Sequence, residues 1–236
     1  MTIQTSTKLS ANDTRILNAL FDPETLPSSV ARSKEPSSID ETLPPHPNID
    51  SETLLILERQ QNDIVREVSS SSDTFTINNA IARMDAVIEE WPTYPSAFVN
   101  RAMLHRMKLE ARLQGRSLFD AEEVDVEVIF NDLSRAIHTS LSPTAPSSAV
   151  STFQARILRT AFSHRGYLYL KAVETGRSLK GQGKNALEEL ASNDFASAAR
   201  YGDEAAREMS VRTNPYAKMC GAIVRNALAE ERKGEL

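Results

Sequence analysis

Four histidines, one cysteine and a short glycine-rich run are the residues of this chain that could do chemistry, and none stands in a working pattern. His46, His105, His138 and His164 show no His-x-x-x-His pair with a nearby carboxylate, the spacing that would set two imidazoles and an acid around a zinc ion. They read as surface or boundary histidines. Gly181, Gly183 and Lys184 sketch a phosphate loop, but such a loop needs a glycine where Ser178 stands, a Ser or Thr after the lysine, and a strand before it. A turn between helices is expected instead. No base can be placed beside Cys220, so a buried structural thiol is expected rather than a nucleophile. Glu122, Glu123, Asp125 and Glu127 read as a solvated helix start, favoured by the positive end of the helix dipole. Trp91, just before Pro92, reads as a core or hinge aromatic. These residues lead us to expect neither an enzyme nor a bound metal or cofactor.

The bulk properties narrow the classes further. The 236 residues suffice for one core, or one core and a tail. A net charge of -5 argues against nucleic acid as the main partner, because phosphate binders carry a basic excess. A single cysteine excludes an internal disulfide. No apolar run approaches the ~18 residues of a membrane span. Residues Met1 to Ser10 are polar without an apolar stretch, so no secretory signal is expected and the cytosol is the expected compartment, with the nucleus open. Few glycines and few alternating β-branched runs point to an all-α protein.

The elements follow from helical spacing. Ile16, Leu17, Leu20 and Phe21 make a short amphipathic helix, ended by Asp22-Pro23. Pro27 to Asp50, with five prolines among serines and acids, reads as a flexible linker. Helices are then expected over 51–68 (with Ser51 as cap), 76–91, 95–115, 120–140, 150–176, 185–201 and 203–211. Asn214-Pro215 opens a last one as cap and first-turn proline.

These helices repeat. Ala80, Met84, Val87 and Pro92 are spaced 4, 3 and 5 apart. Ile129, Leu133 and Ala136 repeat the 4 and 3, and so do Ala191, Phe195 and Ala198. Asn100-Arg101-Ala102 corresponds to His164-Arg165-Gly166. A small residue that lets one helix approach the next, with this spacing, is the signature of the tetratricopeptide repeat. Ala80, Met84, Ala102, Leu133, Ala136, Gly166, Phe195 and Ala198 are the expected packing residues. Gln61 takes the small-residue place in the first pair, which fits least well. The later pairs are longer than the ordinary ~34 residues by about two turns per helix, so elongated helices are expected rather than insertions, a looser loop around 114–120 being the alternative.

Four stretches carry a closer resemblance. Leu17 to Pro23, Pro95 to Ala102, Ile129 to Ile137, and Asn214-Pro215-Tyr216-Ala217-Lys218-Met219-Cys220 resemble the tetratricopeptide repeat protein 36 family. The resemblance implies a non-enzymatic, three-repeat protein, associated with chaperone binding and, in animals, with control of tyrosine breakdown. The expected architecture is a right-handed α-solenoid of three elongated helix hairpins (51–94, 95–142 and 147–202, within a repeat domain 51–213). It is preceded by the N-terminal helix and linker (1–50) and closed by a capping helix (214–236).

In such a fold the first helix of each hairpin lines a concave groove. Repeat positions place Glu58, Asn62, Val65 and Arg66 there, then Ser96, Val99, Met103, Arg106 and Met107, then Thr160, Ser163, Tyr167, Leu170 and Lys171. Asn62, Arg66, Val99, Asn100, Met103, Arg106, Met107, Ser163, Tyr167 and Lys171 are the candidate partner-binding residues. Methionine and tyrosine suit an adaptable peptide site. A clamp for a C-terminal carboxylate would need paired cations. Asn62 and Asn100 fit that scheme, but Glu58, Thr160 and His164 stand where it needs cations, and Glu58 would repel the ligand. The expectation is an adaptor that captures a protein or peptide, with a chaperone as one candidate, and no nucleic acid or membrane. An acidic amphipathic segment would suit the groove, and the chain's own Ile16–Phe21 helix could compete for it. The alternative is a structural subunit docked by its outer face, its groove self-occupied. A monomer is the default.

Overall fold

The computed structural model describes residues 38–69, 72–142, 145 and 148–234, with side chains through residue 226. The Ile16–Phe21 helix lies outside the described residues. Among the described residues the protein is all helical, eight α-helices stacked as hairpins with no strand. They are α1 (Ser51–Arg66), α2 (Thr74–Glu90), α3 (Pro95–Leu113), α4 (Glu123–Ser140), α5 (Thr152–Glu174), α6 (Lys184–Arg200), α7 (Glu204–Thr213) and α8 (Pro215–Gly234). A 3-10 turn, Leu118–Asp120, precedes α4, so the helix expected from residue 120 starts three residues later.

Local chemistry sets the ends. Asp50, not Ser51, caps α1, because its carboxylate accepts from the amides of Glu52 and Thr53 and from the Thr53 hydroxyl. Asp73 caps α2 through the Thr76 amide at 2.7 Å. Ser151 and Gln154 form a reciprocal capping box on α5. Asn214 Oδ1 accepts from the amides of Tyr216 and Ala217, with Pro215 in the first turn. At the end of α5, Gly176 takes φ +68°, and the Arg177 amide reaches back to the Ala172 carbonyl at 3.0 Å. The surplus length of the later pairs divides between added helical turns and ordered loops. α3 and α5 run for 19 and 23 residues, while Gln114 and Gly115 turn in the left-handed region before the 3-10 segment.

The core runs through the hairpins. Ala80, Met84, Ala102, Leu133, Ala136, Gly166, Phe195 and Ala198 are all buried. A Cβ on Gly166 would lie 3.2 Å from Asp194 Cβ and 3.3 Å from both the Ala191 carbonyl and the Phe195 ring, so the close approach of α5 to α6 needs a glycine. α1 meets α2 more sparsely than α3 meets α4. Gln61, in the small-residue place, is buried and turns towards α3: its amide donates to Tyr94 Oη at 2.6 Å and Ser96 Oγ at 2.8 Å, and accepts from Asn100.

Three expectations are corrected. Residues 38–50, read as the end of a flexible linker, pack on the solenoid. Ile39 bridges Val150, the Ser151 hydroxyl donates to the Pro45 carbonyl, and Ile49 is buried. Composition hid this because the anchors are few: Ile39, Ile49, the His46 ring and a handful of hydrogen bonds to backbone carbonyls and amides. His46 is buried as well, its Nε2 donating to the Thr93 carbonyl and its Nδ1 accepting from the Asn48 amide. Cys220 is exposed, because α8 turns that face to solvent along with Tyr216, Met219 and Ile223. α8 buries Gly221 and pairs Lys218 with Glu188 at 3.1 Å, while α7 packs more fully against α6.

Candidate partner-binding groove

The first helices of the three hairpins share one face, and two cavities open on it. The first, about 200 Å³, is polar. α1 gives it Glu58, Gln61 and Asn62, α3 gives Ser96, Val99 and Asn100, and α5 gives Arg156, Ile157 and Thr160. The second, about 160 Å³, lies between α3 and α5, with Arg106, Glu110, Tyr167, Leu168, Lys171 and Thr175 joined by residues 117–119. Of the candidate binding residues, Asn62, Val99 and Asn100 meet at the first cavity, and Arg106, Tyr167 and Lys171 at the second. Arg66, Met103, Met107 and Ser163 line neither. Met103 and Tyr167 are the exposed apolar residues of α3 and α5 on this wall. Val99 is buried and serves as floor. Ser163 is held by Asp203, whose other oxygen caps α7, so the end of the stack uses it.

Charge on this wall is matched residue by residue. Arg106 pairs with Glu110 at 2.7 Å, Lys171 with Glu174 at 2.6 Å, Arg66 with Asp63 at 3.8 Å, and Arg156 with Glu58. Glu58 is therefore not a lone repulsive charge. Arg106 and Lys171 also flank the Tyr167 ring at 5.4 and 5.6 Å. His164 sits behind Arg106, with Nε2 3.3 Å from its guanidinium. Burial, and then the Arg106 charge, pull His164 down to about 4. The neutral ring accepts from Arg106, and its buried Nδ1 has no hydrogen-bond partner among the described residues. A boundary histidine is thus an interior one, and nothing in its spacing distinguished the two.

Sequence reasoning missed the residues that hold the wall's backing rigid. Arg101 donates to both oxygens of Asp132, at 2.9 and 2.6 Å, and to Asp85 at 2.7 Å. Arg165 does the same to Asp194. The signal was present: each arginine precedes the small packing residue, and each aspartate precedes Leu133 or Phe195 at the matching place. Arg156, one turn before Thr160, was missed for want of any repeat counterpart.

No protein-family model matches the chain, and no solved structure matches it. The chain is 40% identical to the L-tyrosine degradation gene cluster protein hmgX of Aspergillus fumigatus, over 99% of this chain and 97% of that one. It belongs to that protein's family. It is also 24% identical to tetratricopeptide repeat protein 36 of Xenopus tropicalis, over 94% of this chain and 88% of the relative. With the human protein of that name the identity is 27%, over 94% and 95%. The likeness read from four stretches thus extends along nearly the whole chain. No helix among the described residues is long and apolar enough to cross a membrane.

Proposed function

We propose that this chain is a non-catalytic adaptor of L-tyrosine degradation, working in the cytosol by holding a polypeptide partner in the groove formed by α1, α3 and α5. The observation that carries the reading is the shared face itself: three stacked helices present two cavities beside exposed Met103 and Tyr167. The tyrosine link rests on the name of the 40% identical relative. A chaperone is a candidate partner through the likeness to tetratricopeptide repeat protein 36, though the wall lacks unpaired cations in the clamp positions. Affinity capture from native cytosol, with the full chain and with Met103→Glu/Tyr167→Glu, tests it. Partners that depend on the groove disappear with the double variant; an unchanged set of partners rejects the reading.

A second reading is supported by α8. Tyr216, Met219 and Ile223 stand 63%, 53% and 60% exposed on one helical face, and terminal repeats ordinarily present a polar outer surface. A structural subunit docked by this end would use that stripe. Stable stoichiometric assembly lost on Met219→Glu, with groove variants silent, would favour it.

A further inference from the structure

The ion pair between Glu58 and Arg156 links α1 to α5 across residues 98 apart in sequence. It is also a partition. On one side lies the polar cavity with Asn62 and Asn100. On the other lies a cleft of about 450 Å³ between the starts of the same two helices, lined by Pro45, Leu54, Leu55 and Phe153, and Glu58 and Arg156 border both. Arg156 lies over the Phe153 ring, 5.4 Å from its centre, and Phe153 stacks on Tyr94, whose hydroxyl accepts from Gln61. The guanidinium therefore has a fixed seat whichever carboxylate it holds. The Arg156 side chain remains 56% exposed with Glu58 in place, and Leu55 is 54% exposed at the cleft.

We propose that Arg156 is the anchor for an acidic side chain of the partner, which takes the place of Glu58. The occupant is an extended segment with a carboxylate beside a bulky apolar residue. Its carboxylate pairs with Arg156. Its apolar neighbour enters the cleft of Leu54, Leu55 and Phe153, and its backbone lies against the amides of Asn62 and Asn100. Glu58 then sets selectivity: a partner without an acid cannot open the partition, and one with an acid replaces like with like. The exchange is accessible because a partly exposed ion pair is weak in water, while the apolar residue entering the cleft adds the burial that drives it. This deepens the groove reading and rests on it.

The test uses the full chain and two acetylated, amidated pentapeptides, one with glutamate followed by leucine and one with glutamine in place of the glutamate. Backbone amide shifts are followed by NMR. The glutamate peptide is expected to shift amides around Leu55, Asn62 and Arg156, and to bind more tightly than the glutamine one. Glu58→Gln, which removes the resident competitor, should tighten it about fivefold, and Arg156→Gln should weaken it by a similar factor. Exchanging the pair, Glu58→Arg with Arg156→Glu, should turn the preference to a lysine peptide. Melting curves confirm that each variant is folded. Equal binding of both peptides, or no change with Glu58→Gln, overturns the anchor. Shifts confined to amides around Arg106, Tyr167 and Lys171 overturn the anchor and leave the groove reading standing. No shift anywhere on α1, α3 or α5 overturns both.

Discussion

Arg165 grips Asp194 across the α5–α6 hairpin with two hydrogen bonds, Nε to Oδ2 at 2.7 Å and Nη2 to Oδ1 at 2.8 Å. Arg101 and Asp132 repeat this one hairpin earlier. Both aspartates are buried, and burial raises the Asp194 pKa against the pull of Arg165. Removing the acid strands a guanidinium that keeps only Ser134 and the Phe162 face. Asp194→Ala is expected to cost on the order of 3 kcal/mol in urea denaturation. Asp85→Ala, which removes the exposed partner of Arg101, should cost under about 1 kcal/mol. Equal losses would show that burial is not what makes these pairs matter.

Gly166 lets two helices touch. Leucine there meets Asp194, Ala191 and Phe195, and at Ala102, which is fully buried, it meets a closed core. Each substitution should destabilise by ~1–3 kcal/mol through overpacking. Thermal melts unaffected by both would contradict the repeat register.

The acid limb of the stability profile should carry the signature of buried histidines. His164 is held neutral, at about 4 against 6.5 for a free imidazole. The unfolded chain therefore takes up its proton first as pH falls. The stabilisation is whole above pH 6.5 and is lost between 6.5 and 4, on the order of 2–3 kcal/mol. Burial lowers His46 too, so it acts with the same sign. His164→Gln should flatten the limb, followed as urea midpoint against pH. An unchanged slope would assign the acid sensitivity elsewhere.

Gln61 joins Tyr94, Ser96 and Asn100 in one buried network. Gln61→Leu leaves the Tyr94 hydroxyl without its amide donor, and burial already holds that phenol protonated. A loss of about 1–3 kcal/mol is expected, with faster amide exchange at the start of α3. Protection unchanged there would mean the network does not tie α1 to α3.

Between residues 51 and 234 the sequence by itself determined the helices, their order and their stacking. The reason is periodicity: apolar residues 3 and 4 apart make one buried face on a helix in any context. The small residues at 102 and 166 and the cap at Asn214-Pro215 were legible for the same local reason. Tertiary structure alone decided which charges meet. Glu58 reads as a repulsive acid until α5 brings Arg156 to it from 98 residues away. Residues 38–50 read as linker until Val150 and Thr93 supply partners. Cys220 reads as core until α8 is seen to turn outward. In the first two cases the deciding contact is long-range, in the third it is a packing neighbour that the helix face does not have, and none of these is encoded in a residue's own spacing.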